Sequence, residues 1–165
     1  MALNAFWGNK KVVIVNVGDN QLAKKIVSAL KSADFKNVVE LSAPSTYANY
    51  YGIYTENPDY TLFVENSKYC KVQLTKVEGF LGDRLGHFVS RDYTESKKAQ
   101  SCYKHHLKML GFDPDFLGAV SIPFEEVKDM DWYYTDKSPM LHLEVSDTEG
   151  VDKAVVESIK DYFKR

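Results

Sequence analysis

Lys11–Val17 reads KVVIVNV, Gly18-Asp19-Asn20 interrupts it, and Val38-Val39-Glu40-Leu41 resumes the same β-branched pattern further on. A short run of this kind, apolar without alternation, is what a strand covered on both faces requires. Between the two runs, Leu22, Ala23, Ile26, Val27, Leu30 and Ala33 recur at helical spacing, while Lys24, Lys25 and Lys31 fall off that stripe toward water. Gly18-Asp19-Asn20 supplies the break and the cap chemistry, with Asp19 read as the helix cap. Strand, helix and strand in this order imply a parallel pair joined by a right-handed crossover.

The same reading extends down the chain. Pro44-Ser45-Thr46 opens a second helix that Asn57-Pro58-Asp59 ends. Tyr60–Val64 and Val72–Val77 are strands joined through the polar Asn66-Ser67-Lys68 turn. Asp92-Tyr93-Thr94-Glu95 has capping-box spacing and predicts a long helix to about Leu110, stopped by Gly111. Its inner face carries Ala99, Tyr103, His106, Leu107 and Leu110. Ala119–Ile122 is a further strand, and Trp132–Thr135 with Met140–Val145 reads as a hairpin. Ser146-Asp147-Thr148-Glu149 is a second capping box, before a helix with Val151, Val155, Ile159, Tyr162 and Phe163 on one side. The expected fold is α/β, or α+β: one globular domain over residues 1–165, with a mixed sheet of six to eight strands. A βαβ unit opens it, helices pack on the sheet, and a helix closes the chain.

Length and composition narrow the class. The chain has 165 residues, 44% hydrophobic and 27% charged, too apolar for a disordered protein and ample for a core. Its longest apolar run, Val12–Val15, is far below the roughly 20 residues of a membrane-spanning helix, and Met1–Trp7 is too short for a secretory leader core. Two cysteines, Cys70 and Cys102, are too few for a disulfide framework, which predicts a reducing, cytoplasmic setting or an assembly built there. The net charge of −2 conceals a gradient: residues 61–110 hold nine basic and five acidic side chains, and residues 111–165 hold six and thirteen. Such halves meet either inside one fold or between copies.

Three constellations carry possible chemistry. Gly18-Asp19 lies at the carboxyl end of the first strand, the edge at which open α/β sheets bind ligands, but neither G-x-G-x-x-G nor a phosphate-loop spacing is present. Gly79-Phe80-Leu81-Gly82-Asp83-Arg84-Leu85-Gly86-His87 places three glycines beside an acid, a guanidinium and an imidazole, a combination suited to anion binding and proton transfer. Cys102, His105 and His106 share a helix face, yet no second close-spaced pair completes a zinc site. Cys102 and His106 are therefore read as bordering the core, with His105 solvated. His142 alternates with Leu141 and Leu143 and is expected to face away from the core.

Tyr47, Tyr50, Tyr51 and Tyr54 stand at i, i+3, i+4 and i+7, four phenols on one helical face. Tyrosine suits interfaces because it buries a large area and keeps a polar tip. With no Lys or Arg between Lys36 and Lys68, nucleic acid is disfavoured and a protein partner, including another copy, is expected. The function expected first is therefore non-enzymatic: an assembly or interaction protein acting by self-association or docking into a larger complex. The Lys-, Asn- and Tyr-rich composition suggests a phage or other viral particle. The alternative is a small enzyme or binding module acting on a phosphate-containing small molecule through Asp83, Arg84 and His87, with Asp19 as a neighbour. No cofactor, metal or membrane partner is expected.

Overall fold

The computed structural model describes residues 7–45, 50–78, 94–123 and 138–164; the side chains of Tyr50, Tyr51, Tyr54 and of residues 75–78 and 117–123 lie outside that description. Among the described residues six strands form one sheet: β1 (Lys11–Val17), β2 (Asn37–Ala43), β3 (Tyr60–Asn66), β4 (Lys71–Glu78), β5 (Asp115–Pro123) and β6 (Met140–Val145), in the order β2-β1-β3-β6-β4-β5. The helices are α1 (Gln21–Ser32), α2 (Tyr50–Glu56), α3 (Thr94–Lys108) and α4 (Val151–Lys164). The expected mixed α/β sheet, opened by a βαβ unit and closed by a C-terminal helix, is present.

β1 pairs in parallel with both β2 and β3, so the first crossover leaves β1 on one side and the second returns past it. Right-handed connections therefore put α1 and α2 on opposite faces of the sheet. Strand parity agrees. Val12 and Ile14 join Leu22, Ile26 and Leu30 of α1 and Val155 and Ile159 of α4 in one cluster, while Val13, Val15 and Val17 are buried on the other face. The unbroken apolar run of β1 thus reflects cover on both sides, as expected.

Three local expectations are corrected. Met140–Val145 is not half of a hairpin with Trp132–Thr135, residues outside the description. β6 pairs in parallel with β3 and antiparallel with β4, and both its edges are taken. Ser146 is not a helix cap: its hydroxyl meets that of Thr148 at 2.9 Å, and α4 begins only after Gly150, whose φ of +92° turns the chain. Leu110 lies beyond the end of α3 and is exposed rather than on its inner face, because Gly111 (φ +90°) ends the helix early.

α3 is fastened to the sheet by polar contacts as well as by Ala99, Tyr103 and Leu107. The Gln100 side chain donates to the Val72 carbonyl (2.8 Å), and the Met140 amide donates to the Ser96 hydroxyl (3.1 Å). His106 bonds Asp161 of α4 at 2.5 Å, and the Tyr162 hydroxyl donates to Glu95 at 2.8 Å. With Lys71 lying 3.9 Å from Glu144, these contacts join the basic middle of the chain to its acidic last third inside one subunit. Cys102 is buried and donates to the Lys98 carbonyl, and His105 is exposed, as expected.

Candidate functional site

The carboxyl ends of β1, β2, β3 and β6 and the amino ends of β4 and β5 share one rim of the sheet. At its β1/β3 switch point, the place where open α/β sheets admit ligands, lies a cleft of about 430 Å³. Its walls are Val17, Gly18, Asn20, Pro44, Ser45, Glu65 and Asn66.

The turn that shapes this cleft takes two successive left-handed residues, Gly18 (φ +75°) and Asp19 (φ +53°). Glycine fits such a φ freely and aspartate tolerates it better than most side chains. The double turn moves the cap one residue along, so Asn20, not Asp19, caps α1. Its carboxamide oxygen accepts from the Ala23 amide (2.8 Å), and its nitrogen donates to the carbonyls of Val17 (2.9 Å) and Val64 (3.0 Å). Asn16, fully buried, braces the same turn by accepting from the Asn20 amide (2.7 Å) and donating to the Asn20 carbonyl and to Glu40. Asp19 points outward, 79% exposed in its side chain and 3.4 Å from Lys24.

Because Asn20 spans the cap and two strand ends, Asn20→Ala is expected to cost about 2–4 kcal/mol, a cap plus two stranded carbonyls. Asn20→Asp keeps the cap acceptor but sets a carboxylate against the Val17 and Val64 carbonyls, and is expected to lose about 1–3 kcal/mol. Urea unfolding midpoints measure both. Equal stability of the Asp variant and the parent would mean that the carbonyl contacts contribute nothing.

Glu65 is the cleft's titratable group. Burial raises the pKa of its carboxyl, and Glu144 raises it further. The two are register partners on neighbouring parallel strands, and the Lys71 ammonium lies 3.9 Å from Glu144. The two carboxyl groups stand side by side, and the Glu65 carboxyl is the one that burial and its neighbour raise. One step inward on the same sheet face, His142 is 1% exposed and stacked on Phe63 with ring centroids 4.4 Å apart. This corrects the expected surface histidine. Burial pushes its pKa down to about 3, and neither ring nitrogen has a hydrogen-bond partner among the described residues.

A larger groove of about 860 Å³ runs between α1 and α4, lined by Lys24, Lys25, Lys153 and Lys160 with Asp152 and Glu157. Three of these lysines, Lys24, Lys25 and Lys160, pair with Asp19, Asp147 and Glu157. Among the described residues, no group of three or more His, Cys, Asp and Glu side chains is arranged to hold a metal. Neither cysteine is in a disulfide; the Cys70 thiol is pushed up to about 11, first by burial and then by Asp115 and Asp113. No described helix is long and apolar enough to cross a membrane.

No protein-family model matches this chain, and no curated protein matches it. Among solved structures, an AMP nucleosidase from Bacteroides thetaiotaomicron is similar with a TM-score of 0.45 and 11% identity. The match covers 93% of this chain and 87% of that one. A likeness this slight bears on neither mechanism nor ligand.

Of the residues singled out in the sequence, Asp19 reaches the rim but turns to solvent. Asp83, Arg84 and His87 lie outside the described residues, as do Tyr47 and the side chains of Tyr50, Tyr51 and Tyr54. Sequence reasoning passed over Glu65, Asn66, Ser45 and Glu144. The signal for the two glutamates was strand parity: Phe63 and Glu65 share a face, as do His142 and Glu144, and the pairing of β3 with β6 aligns them.

Proposed function

We propose that this chain is a small enzyme, acting on an uncharged, hydroxyl-bearing small molecule in the rim cleft, with Glu65 as the group that moves a proton. The observation that carries this is a carboxyl of raised pKa in the wall of a cleft at the sheet's switch point. Glu65 supplies the acid with Glu144 beside it, and Asn66 in the cleft wall offers its carboxamide nitrogen to orient a ligand. The ligand chemistry departs from the phosphate expected from the sequence. The described lining holds a carboxyl and no cation, so a phosphate there finds no counter-charge. Asp83, Arg84 and His87 remain proposed contributors from the Gly79–His87 loop. The composition-based suggestion of a viral particle gains no support from the fold.

Carboxyl-detected NMR titration tests the pair. Glu65 is expected to titrate above the ordinary 4.5, and in Glu144→Gln to move down while staying above it, since burial is the larger cause. Amide shifts on adding monosaccharides or free nucleosides are expected at Gly18, Asn20, Ser45 and Asn66. Shifts that arise only with phosphorylated compounds, or that map elsewhere, would overturn the reading.

A further inference from the structure

α1 and α4 pack side by side on one face of the sheet, and the groove of about 860 Å³ between them is continuous. From α1 it takes Lys24 and Lys25, Ser28 and Ala29, and Ser32 and Ala33, one pair from each turn. The groove therefore runs the length of that helix, about 18 Å at 1.5 Å per residue. Ala29, Ala33 and Val156 of α4 form an apolar floor where the two helices meet the core. At the end near Ala33, the Trp7 indole donates to the Ala33 carbonyl (2.8 Å). Lys160 and Lys164 stand over that ring, 5.2 and 5.5 Å from its centroid. The groove shares no lining residue with the rim cleft.

The charges say what fits it. Four lysines line the groove against two carboxylates, Asp152 and Glu157. Lys153 is exposed and has no ion-pair partner among the described residues. Lys24, Lys25 and Lys160 are paired, but each pair has at least one side chain open to water. Pairs of that kind hold a lysine weakly, so a partner with several carboxylates can draw it away. A nucleic acid carries a charge at every unit and would set phosphates against Asp152 and Glu157 as well. A peptide can place its acids opposite the lysines and leave uncharged side chains opposite those two. A straight groove with an apolar floor is also the shape into which an amphipathic helix lays its apolar face.

We propose that the α1–α4 groove docks an acidic amphipathic helix of a partner protein, with its apolar stripe on Ala29, Ala33 and Val156 and its carboxylates against the four lysines. The site is independent of the chemistry assigned to the rim cleft.

The probe is a fluorescent peptide of about 15 residues, long enough to fill the groove, with leucines on one helical stripe and glutamates flanking it. Anisotropy with the full chain is expected to show saturable binding that weakens as salt rises. The same peptide with lysine in place of glutamate is expected not to bind. Lys25→Glu combined with Lys153→Glu is expected to weaken binding about tenfold or more, by reversing two of the four charges. Ser28→Trp fills the groove without changing its charge and is expected to weaken binding about tenfold. All three positions are exposed, and melting curves confirm that each variant folds. The proposal is overturned by an absence of binding at millimolar peptide, by equal binding of the lysine peptide, or by an affinity that Ser28→Trp does not change. A single-stranded oligoribonucleotide that binds more tightly than the peptide and weakens in the same variants overturns it in favour of nucleic acid.

Discussion

Tyr103→Ala is expected to lower stability by about 3–5 kcal/mol, the range of other large-to-small aromatic changes in a core. The ring is fully buried beneath α3, and its hydroxyl meets that of Tyr60 on β3 at 2.5 Å. Tyr60 in turn lies edge-on to Tyr162 (centroids 5.5 Å apart) and against Phe163 (5.8 Å), so a single ring couples the sheet, α3 and α4. Burial holds both phenols far above their ordinary pKa and keeps them protonated, so they share one hydrogen bond in a site that admits no charge. Tyr103→Phe keeps the packing and strands the Tyr60 hydroxyl, an expected loss of about 1–3 kcal/mol. Guanidinium unfolding of the two variants separates the terms. Equal losses in both would assign the whole effect to the hydrogen bond and contradict the packing account.

The second large effect is a loss of stability in acid. The His142 imidazole takes a proton near 6.5 in an unfolded chain but only near 3 in the fold, where burial opposes the charge. Between these values the unfolded chain binds the extra proton. Stability therefore falls as pH drops through that window, by up to about 1.4 kcal/mol for each pH unit. Glu65 acts in the opposite sense: its raised pKa favours the fold in acid and gives that stability up as pH rises past 4.5, weakly because the group is partly solvated. His142→Leu removes two unpartnered polar atoms from the core. It is expected to flatten the acid limb and to leave stability at neutral pH unchanged or higher. Denaturant midpoints between pH 3 and pH 7 measure the slope, and a variant as acid-sensitive as the parent would place the titrating group elsewhere.

His142 also shows where a one-dimensional reading stops. Alternation with Leu141 and Leu143 assigned it to the correct face of its strand. Parity does not say whether that face is covered; strand order does, and strand order is nonlocal. Met140–Val145 read as a hairpin has an open side, whereas β6 between β3 and β4 has none. The β1–α1–β2 unit was legible because every one of its signals is local: an apolar run, a break, a helical stripe and a second run. The α4 stripe was legible for the same reason, and Val151, Val155 and Ile159 are all buried. Cap positions were less so. A left-handed φ at Asp19 or Gly150 moves a cap by one residue or more, and the sequence does not display φ. The rim was reached from the rule that ligands meet strand carboxyl ends, but only as far as Asp19. Glu65 became visible once β3 was known to lie beside β1 and β6.

The position of β6 governs the order in which this sheet is completed during synthesis. The last strand among the described residues, it lies between β3 and β4, which follow one another in the chain yet are not sheet neighbours. Without residues 140–145, the edges of β3 and β4 that β6 joins have no partner strand in this sheet. Open strand edges invite pairing with other chains, and the contacts that close them span large sequence separations, which slows the final step. Insertion of β6 therefore closes two edges of this sheet at once.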